Sequence, residues 1–183
     1  YLKQLQNNQK RSKILQKIVA RDLKLNIPDT LFTNQLKSIK EFEHDKIAIK
    51  PIYAHVMEKN NKETQVFYTS LQNKSELVEL GETGVRNTIN FLESYVEKKF
   101  EVRATVIDDE IYTVSINSQS FEKDKGKIDW RQGYDHGIKF SKMDLPKDIA
   151  DKCFQFLQYF ELSFGCFDFI VDEEDNYHFL ECN

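Results

Sequence analysis

The stretch CFDFIVDEEDNYHFLECN, residues 166–183, constrains the fold more than any other part of this chain. Two apolar runs flank a highly acidic turn, the pattern of a β-hairpin. Acids also sit inside the runs, at Asp168 and Glu181. An unpaired charge buried in a strand costs several kcal/mol, so these carboxylates must face something other than hydrocarbon. Side chains alternate along a strand, which groups Asp168 with Cys166 and Ile170, and Glu181 with Asn183 against Cys182. A turn near Glu174 sets position 168 roughly opposite position 181. Two carboxylates and an amide oxygen then converge. Hard oxygen donors of this kind suit Mg2+, which takes one or two carboxylates and shares its shell with phosphate and water. The same spacing also describes an edge hairpin with its acids in solvent, and the residues alone leave both readings open.

The remaining pattern alternates helix and strand. KILQKIVARDLKL sets Ile14, Leu15, Ile18, Val19 and Leu23 on one helical face. DTLFTN, KIAIKP and TQVFYTSL read as strands, with a surface helix over NQLKSIKEFEH and a hairpin or loop over IYAHVMEKNNKE. Residues 75–88 fit neither period, and INFLESYV reads as a strand. FEVRATVIDDEIYTVSINSQ is the clearest hairpin, with two β-branched runs around Asp108, Asp109 and Glu110. Residues 121–142 carry little apolar material and predict a long loop. Pro146 opens a helix with a stripe of Ile149, Cys153, Phe156, Leu157 and Phe160. Residues 1–12 are polar and basic, and read as extended or loosely helical. The expected class is α+β in two layers with largely antiparallel sheets.

Composition narrows the function classes. A formal net charge of -4 gives no general attraction to nucleic acid or anionic membrane. No signal peptide and no apolar run of about 18 residues occurs. Cys153, Cys166 and Cys182 form no CxxC pair and read as reduced thiols of a cytoplasmic protein. The chain opens at Tyr1 and closes in a strand-like run, so we expect a piece of a longer protein with segments missing at both ends.

Several cations stand where an apolar pattern does not need them. Lys50 ends a strand, where it is either a solvated end residue or a point charge for phosphate. Lys13 opens the first helix, where the dipole disfavours a cation. Glu101 and Arg103 share a strand face, as a salt pair or as a hydroxyl-binding carboxylate beside an anion-binding guanidinium. Trp130 and Arg131 fall in a polar loop, and an exposed pair there predicts ligand or peptide contact. His136 has no recognisable partner, and no catalytic triad order or Walker loop is present.

In this order the pieces resemble the ATP-grasp superfamily over nearly the whole chain: Lys13 before NIPDTLFTN, then IAIKP, FLESYVEKKFEVRATVIDDEIYTVSINSQ, DWR, LP, and FGCFDFIV with YHFLECN. The wording is most similar to the peptide-modifying branch, the microviridin-type (graspetide) macrocyclases and grasp-with-spasm ligases. More distantly it resembles the ribosomal-protein glutamate ligases. The resemblance implies two α+β subdomains gripping nucleotide between them. It divides the chain into a helical lead-in over 1–44, a lid-like subdomain over 45–95 and a metal-bearing subdomain over 96–183. Lys13 and Lys50 are implied at the nucleotide phosphates, Glu93, Ser94, Tyr95 and Val96 at adenine, and Glu101 at ribose. Arg103 and Arg131 are implied at the γ-phosphate and acyl phosphate, and Asp168, Glu181 and Asn183 at Mg2+. Residues 52–66 hold no glycine, whereas many ATP-grasp proteins carry a glycine-rich loop there; the peptide-modifying branch often lacks it too.

The implied activity is ATP-dependent: an Asp or Glu side chain of a ribosomal precursor peptide becomes an acyl phosphate, and a Lys, Ser or Thr of the same peptide attacks it. The implied cofactors are ATP and Mg2+. The implied partners are the precursor peptide and a second copy in a homodimer, with neither nucleic acid nor membrane. Two other readings stand beside it: a ligase adding amino acids or glutamate to a protein tail or small molecule, and a degenerate grasp domain that binds peptide without catalysis. An unrelated α+β domain with accidental matches is the remaining alternative.

Overall fold

The computed structural model describes residues 12–52, 56–59, 63–120, 124–132 and 138–183, with backbone alone at 56–59, 63–66, 124 and 125. The expectations for residues 1–11 and for His136 lie outside this range. The chain forms two compact units, one of residues 28–95 and one of residues 1–27 with 96–183.

The larger unit is built on a five-stranded antiparallel sheet. Its strands are β7 (Phe100–Ile107), β8 (Glu110–Ile116), β9 (Phe140–Met143), β10 (Phe164–Val171) and β11 (Tyr177–Cys182), in the order β11-β10-β7-β8-β9. The helices α1 (Lys13–Asp22) and α6 (Lys147–Tyr159) supply the rest of its core. Strand alternation sends Val102, Ala104 and Val106 of β7 into that core, and Phe167 and Phe169 of β10 join them. Phe156 from α6 packs on Phe167 and Phe179 with ring centroids 5.4 Å apart. The apolar stripe expected on α6 is the buried one. Gly165 permits a close approach: a Cβ there would lie 2.7 Å from the Cys182 sulfur and 2.8 Å from Leu157 Cδ2, so those side chains would have to shift.

α1 departs from its expected face. Ile14 and Ile18 are exposed, while Gln16, Lys17, Val19 and Ala20 are buried. The reason is polar. Gln16 accepts from the Cys182 N–H (2.9 Å) and donates to its carbonyl (2.7 Å), and the Lys17 ammonium donates to the Phe179 carbonyl (3.1 Å). The Phe179 N–H in turn donates to the Asn26 carbonyl (2.8 Å). Side chains of a helix thus occupy hydrogen-bonding groups that an edge strand leaves open.

The smaller unit holds a four-stranded antiparallel sheet in the order β1-β6-β2-β5, from β1 (Thr30–Thr33), β2 (Lys46–Lys50), β5 (Ser70–Asn73) and β6 (Asn90–Ser94). α2 (Leu36–Glu41) covers it with α3 (Lys74–Glu79) and α4 (Gly81–Val85), around a core that includes Leu36, Ile39, Ile47 and Leu92. A separate two-stranded ribbon pairs β3 (Val56–Lys59) with β4 (Glu63–Val66). The single strand expected over TQVFYTSL is therefore two strands, interrupted at Phe67–Thr69. The ambiguous stretch 75–88 is helical as far as Val85, opened by a capping box between Asn73 and Glu76.

Within the long loop expected over 121–142, the described residues hold regular structure. They form the short helix α5 (Asp124–Ile128), a 3-10 turn over residues 130–132, and most of edge strand β9. The Lys98 ammonium on the Ile128 carbonyl and the buried Trp130 hold this stretch, and hydrophobic periodicity gives no sign of either contact.

Candidate functional site

The site lies on the sheet face of the larger unit that is turned away from the phenylalanine core. Arg103 of β7 and Asp168 of β10 are register partners, and Asp168 is also the partner of Glu181 on β11. The expectation that positions 168 and 181 face each other is borne out, but strict alternation does not produce it. Phe179 lies in the core, so an unbroken strand would turn Glu181 inward as well. A β-bulge intervenes: Phe169 pairs with Phe179 while Asp168 pairs with Glu181, leaving Leu180 as the extra residue. The bulge turns Glu181 to the site face and Cys182, with Phe179, into the core.

Cations and carboxylates then alternate across this face. Arg103 grips Asp168 through two bonds, Nε to Oδ1 and Nη2 to Oδ2, each 2.9 Å. Arg131 Nη2 donates to Asp168 Oδ2 (3.2 Å) and to Glu181 Oε1 (2.8 Å). Lys13, from the first turn of α1, lies 3.2 Å from Glu181 Oε2. Asp129 Oδ1 approaches Arg131 Nη1 at 3.5 Å and accepts from the Arg131 backbone N–H. Asp168 is 5% exposed, and burial pushes its carboxyl above the ordinary range, with Arg103 and Arg131 opposing and Glu181 adding to the rise. Burial lowers the Arg131 pKa, but Asp168, Asp129 and Glu181 outweigh it and hold the pKa above its ordinary value.

Trp130 is not the exposed contact residue expected from its polar neighbours. It is 3% exposed. The guanidinium carbons of Arg103 and Arg131 lie 4.8 Å and 5.6 Å from its ring, and Phe140 meets it edge-on at 6.2 Å. Its segment is tied to β7 from below. The buried Lys98 ammonium donates to Glu101 Oε1 and to the Ile128 carbonyl, both at 2.8 Å. Burial raises the Glu101 pKa, against Lys98 and a hydrogen bond from Ser118. Lys98, Gln16 and Asp129 were not singled out in the sequence. Only the adjacency of Asp129 to Trp130 and Arg131 hints at a role for any of them.

The structure thus brings together five of the expected residues: Lys13, Arg103, Arg131, Asp168 and Glu181. Glu101 shares strand β7 with Arg103 but turns its carboxylate to Lys98. Asn183 pairs through its backbone with Cys166 in both directions, and its residue is exposed. Lys50, Glu93, Ser94 and Tyr95 belong to the smaller unit. There the Lys50 ammonium forms an ion pair with the buried carboxylate of Glu93 and sits 5.9 Å from the Phe91 ring. The Ser94 and Tyr95 N–H groups donate to the Asp29 and Lys46 carbonyls. Val96 follows at the start of the other unit's second segment.

The donor set fits Mg2+ in kind. Asp168, Glu181 and the Asn183 amide are hard oxygen donors, too few to complete a shell alone, as expected for an ion that keeps phosphate and water ligands. Among the described residues no group of three or more His, Cys, Asp and Glu is placed to hold a metal by itself.

No family model matches the chain, and no curated protein sequence matches it. Solved structures do. A RiPP-associated ATP-grasp ligase from Chryseobacterium gregarium, in complex with ADP and a leader and core peptide, is 28% identical with a TM-score of 0.85, covering 96% of this chain and 52% of that one. The macrocyclase MdnC from Microcystis aeruginosa MRC, bound with precursor peptide MdnA, is 31% identical with a TM-score of 0.77, over 97% of this chain and 55% of that one. D-alanine–D-alanine ligase from Bacillus anthracis, 15% identical with a TM-score of 0.66 over 98% of this chain and 58% of that one, shares the fold. The chain has the ATP-grasp fold. Within that class its likeness runs to the ligases that modify ribosomally made peptides. It spans about half the length of those two structures.

Proposed function

We propose that this chain is the nucleotide-binding core of an ATP-dependent ligase that activates an Asp or Glu side chain of a ribosomal precursor peptide and closes it into an ester or amide. The observation that carries this is Arg131, which hydrogen-bonds Asp168 and Glu181 at once. Residues suited to holding phosphate and residues suited to holding its counter-ion share one patch.

On this reading the peptide carboxylate attacks the γ-phosphate of ATP, giving an acyl phosphate and ADP, and an amine or hydroxyl of the peptide then displaces phosphate. Arg103 and Arg131 offset the charge developing on the transferred group. Lys13 and Lys50 contact nucleotide phosphates, the segment from Glu93 to Val96 receives adenine, and Glu101 lies at the ribose. Asp168, Glu181 and Asn183 would hold Mg2+, which would supply further charge neutralisation at the phosphates. No side chain need become a covalent nucleophile, because positioning and charge suffice. Among the described residues no helix is long and apolar enough to cross a membrane. The partner is a peptide rather than nucleic acid or membrane, the likeness suggests a homodimer, and the three free thiols suit the cytoplasm.

Calorimetric titration of ADP with Mg2+ into the protein and into Asp168→Asn tests the reading. Metal-dependent binding in the first and its loss in the second is the expected pair of results. Equal metal dependence in both removes the metal assignment, and no binding by the intact protein removes the nucleotide site.

A further inference from the structure

We propose that Trp130 is a positioning residue whose ring holds the Arg103 and Arg131 guanidiniums over the phosphate-facing patch. The proposal rests on the functional reading above, because it acts through those two arginines.

The geometry is specific. The two guanidinium carbons lie 4.8 Å and 5.6 Å from a ring that is itself 3% exposed. Cations seated against a desolvated indole are held more firmly than at an exposed ring. Both guanidiniums also carry bonds to Asp168. When a bound anion or metal draws on those bonds, the indole remains as the fixed contact. The ring is steadied by Phe140 and by the Asp129 turn. Lys98 anchors the preceding residue pair through the Ile128 carbonyl. This assigns Trp130 a role different from ligand contact, since almost none of its surface reaches solvent. Misplacement of a charged group by about 1 Å can cost a large factor in rate or transition-state binding.

The test compares two probes, ADP with Mg2+ and a non-hydrolysable ATP analogue with Mg2+, in the intact protein, Trp130→Phe and Trp130→Leu. Arg103 and Arg131 are assigned to the terminal phosphate, so the analogue alone reads their placement. Trp130→Leu should weaken the analogue by about tenfold and ADP by no more than about twofold, while Trp130→Phe, which keeps an aromatic face, should bind both within about threefold of the intact protein. Analogue affinity unchanged in Trp130→Leu overturns the proposal, as does equal loss of both probes in both variants, which marks a merely structural residue. If Trp130→Leu does not fold, the intact protein decides. Trp130 is the only tryptophan of the chain, and its emission should change on saturation with the analogue and not with ADP; emission indifferent to the bound analogue overturns the proposal. An intact protein that binds neither probe fails the functional reading itself, and the proposal with it, a result distinct from binding that ignores Trp130.

Discussion

Arg103 stands directly across from Asp168 in the pairing of β7 with β10, and its guanidinium holds both carboxylate oxygens at 2.9 Å. The fork geometry, not the charge alone, satisfies a carboxylate that is almost fully buried. Arg103→Lys keeps the charge and offers one point contact in place of two parallel bonds. It should cost about 1–2 kcal/mol of stability by urea unfolding. A variant as stable as the parent would mean that Arg131 alone satisfies Asp168.

In the smaller unit the partly exposed Lys50 pairs with the buried carboxylate of Glu93. Lys50→Ala removes the cation that faces the buried Glu93 carboxylate and should destabilise by about 3 kcal/mol. Replacing both partners, as Lys50→Met with Glu93→Leu, should recover most of that stability. Nucleotide affinity should stay weak in both, measured by calorimetry. Affinity that returns with stability would show that Lys50 serves the fold and not the phosphates.

Gln16 fixes the strand just past the bulge that aims Glu181. Gln16→Ala leaves the Cys182 N–H and carbonyl without their side-chain partner and should cost about 2 kcal/mol. Hydrogen exchange at the Cys182 amide should accelerate by more than the global loss explains. Unchanged protection there would mean that the bulge is held by β10 alone.

The acidic turn supplies a pH signature. Slight burial raises the Asp172 carboxyl, but hydrogen bonds from His178 and Asn176 outweigh it and hold the pKa at about 2, below the ordinary 3.8. A lowered carboxyl pKa stabilises the fold above the unfolded value, and that contribution is lost as pH falls through the folded one. Asp172→Asn should therefore be less stable than the parent at pH 5 and converge with it as pH falls from about 4 towards 2. Parallel stability curves across that range would show that the shift is absent.

The hairpin over FEVRATVIDDEIYTVSINSQ and the stripe of α6 were legible because each follows one period for its full length. The facing of Asp168 and Glu181 was legible in outcome, from two acids at matching distance from a turn. The structure of residues 124–132 was not, because Lys98, paired with Glu101 of β7 and distant in sequence, holds that segment through the Ile128 carbonyl. The buried face of α1 was hidden for the same reason. Gln16 and Lys17 look like solvent residues until an edge strand presents its backbone to them.

The sequence by itself determined the α+β class, the terminal hairpin, and the set of cations and carboxylates that resembles an ATP-grasp site. Tertiary structure alone decided that Leu180 is bulged, that Trp130 is buried against two arginines, and that Glu101 turns to Lys98. Local patterns record what a residue needs from its own neighbours in the chain. A bulge, a cation against a ring and a buried ion pair depend on groups brought together from distant segments, and their energies exist only once those segments have met.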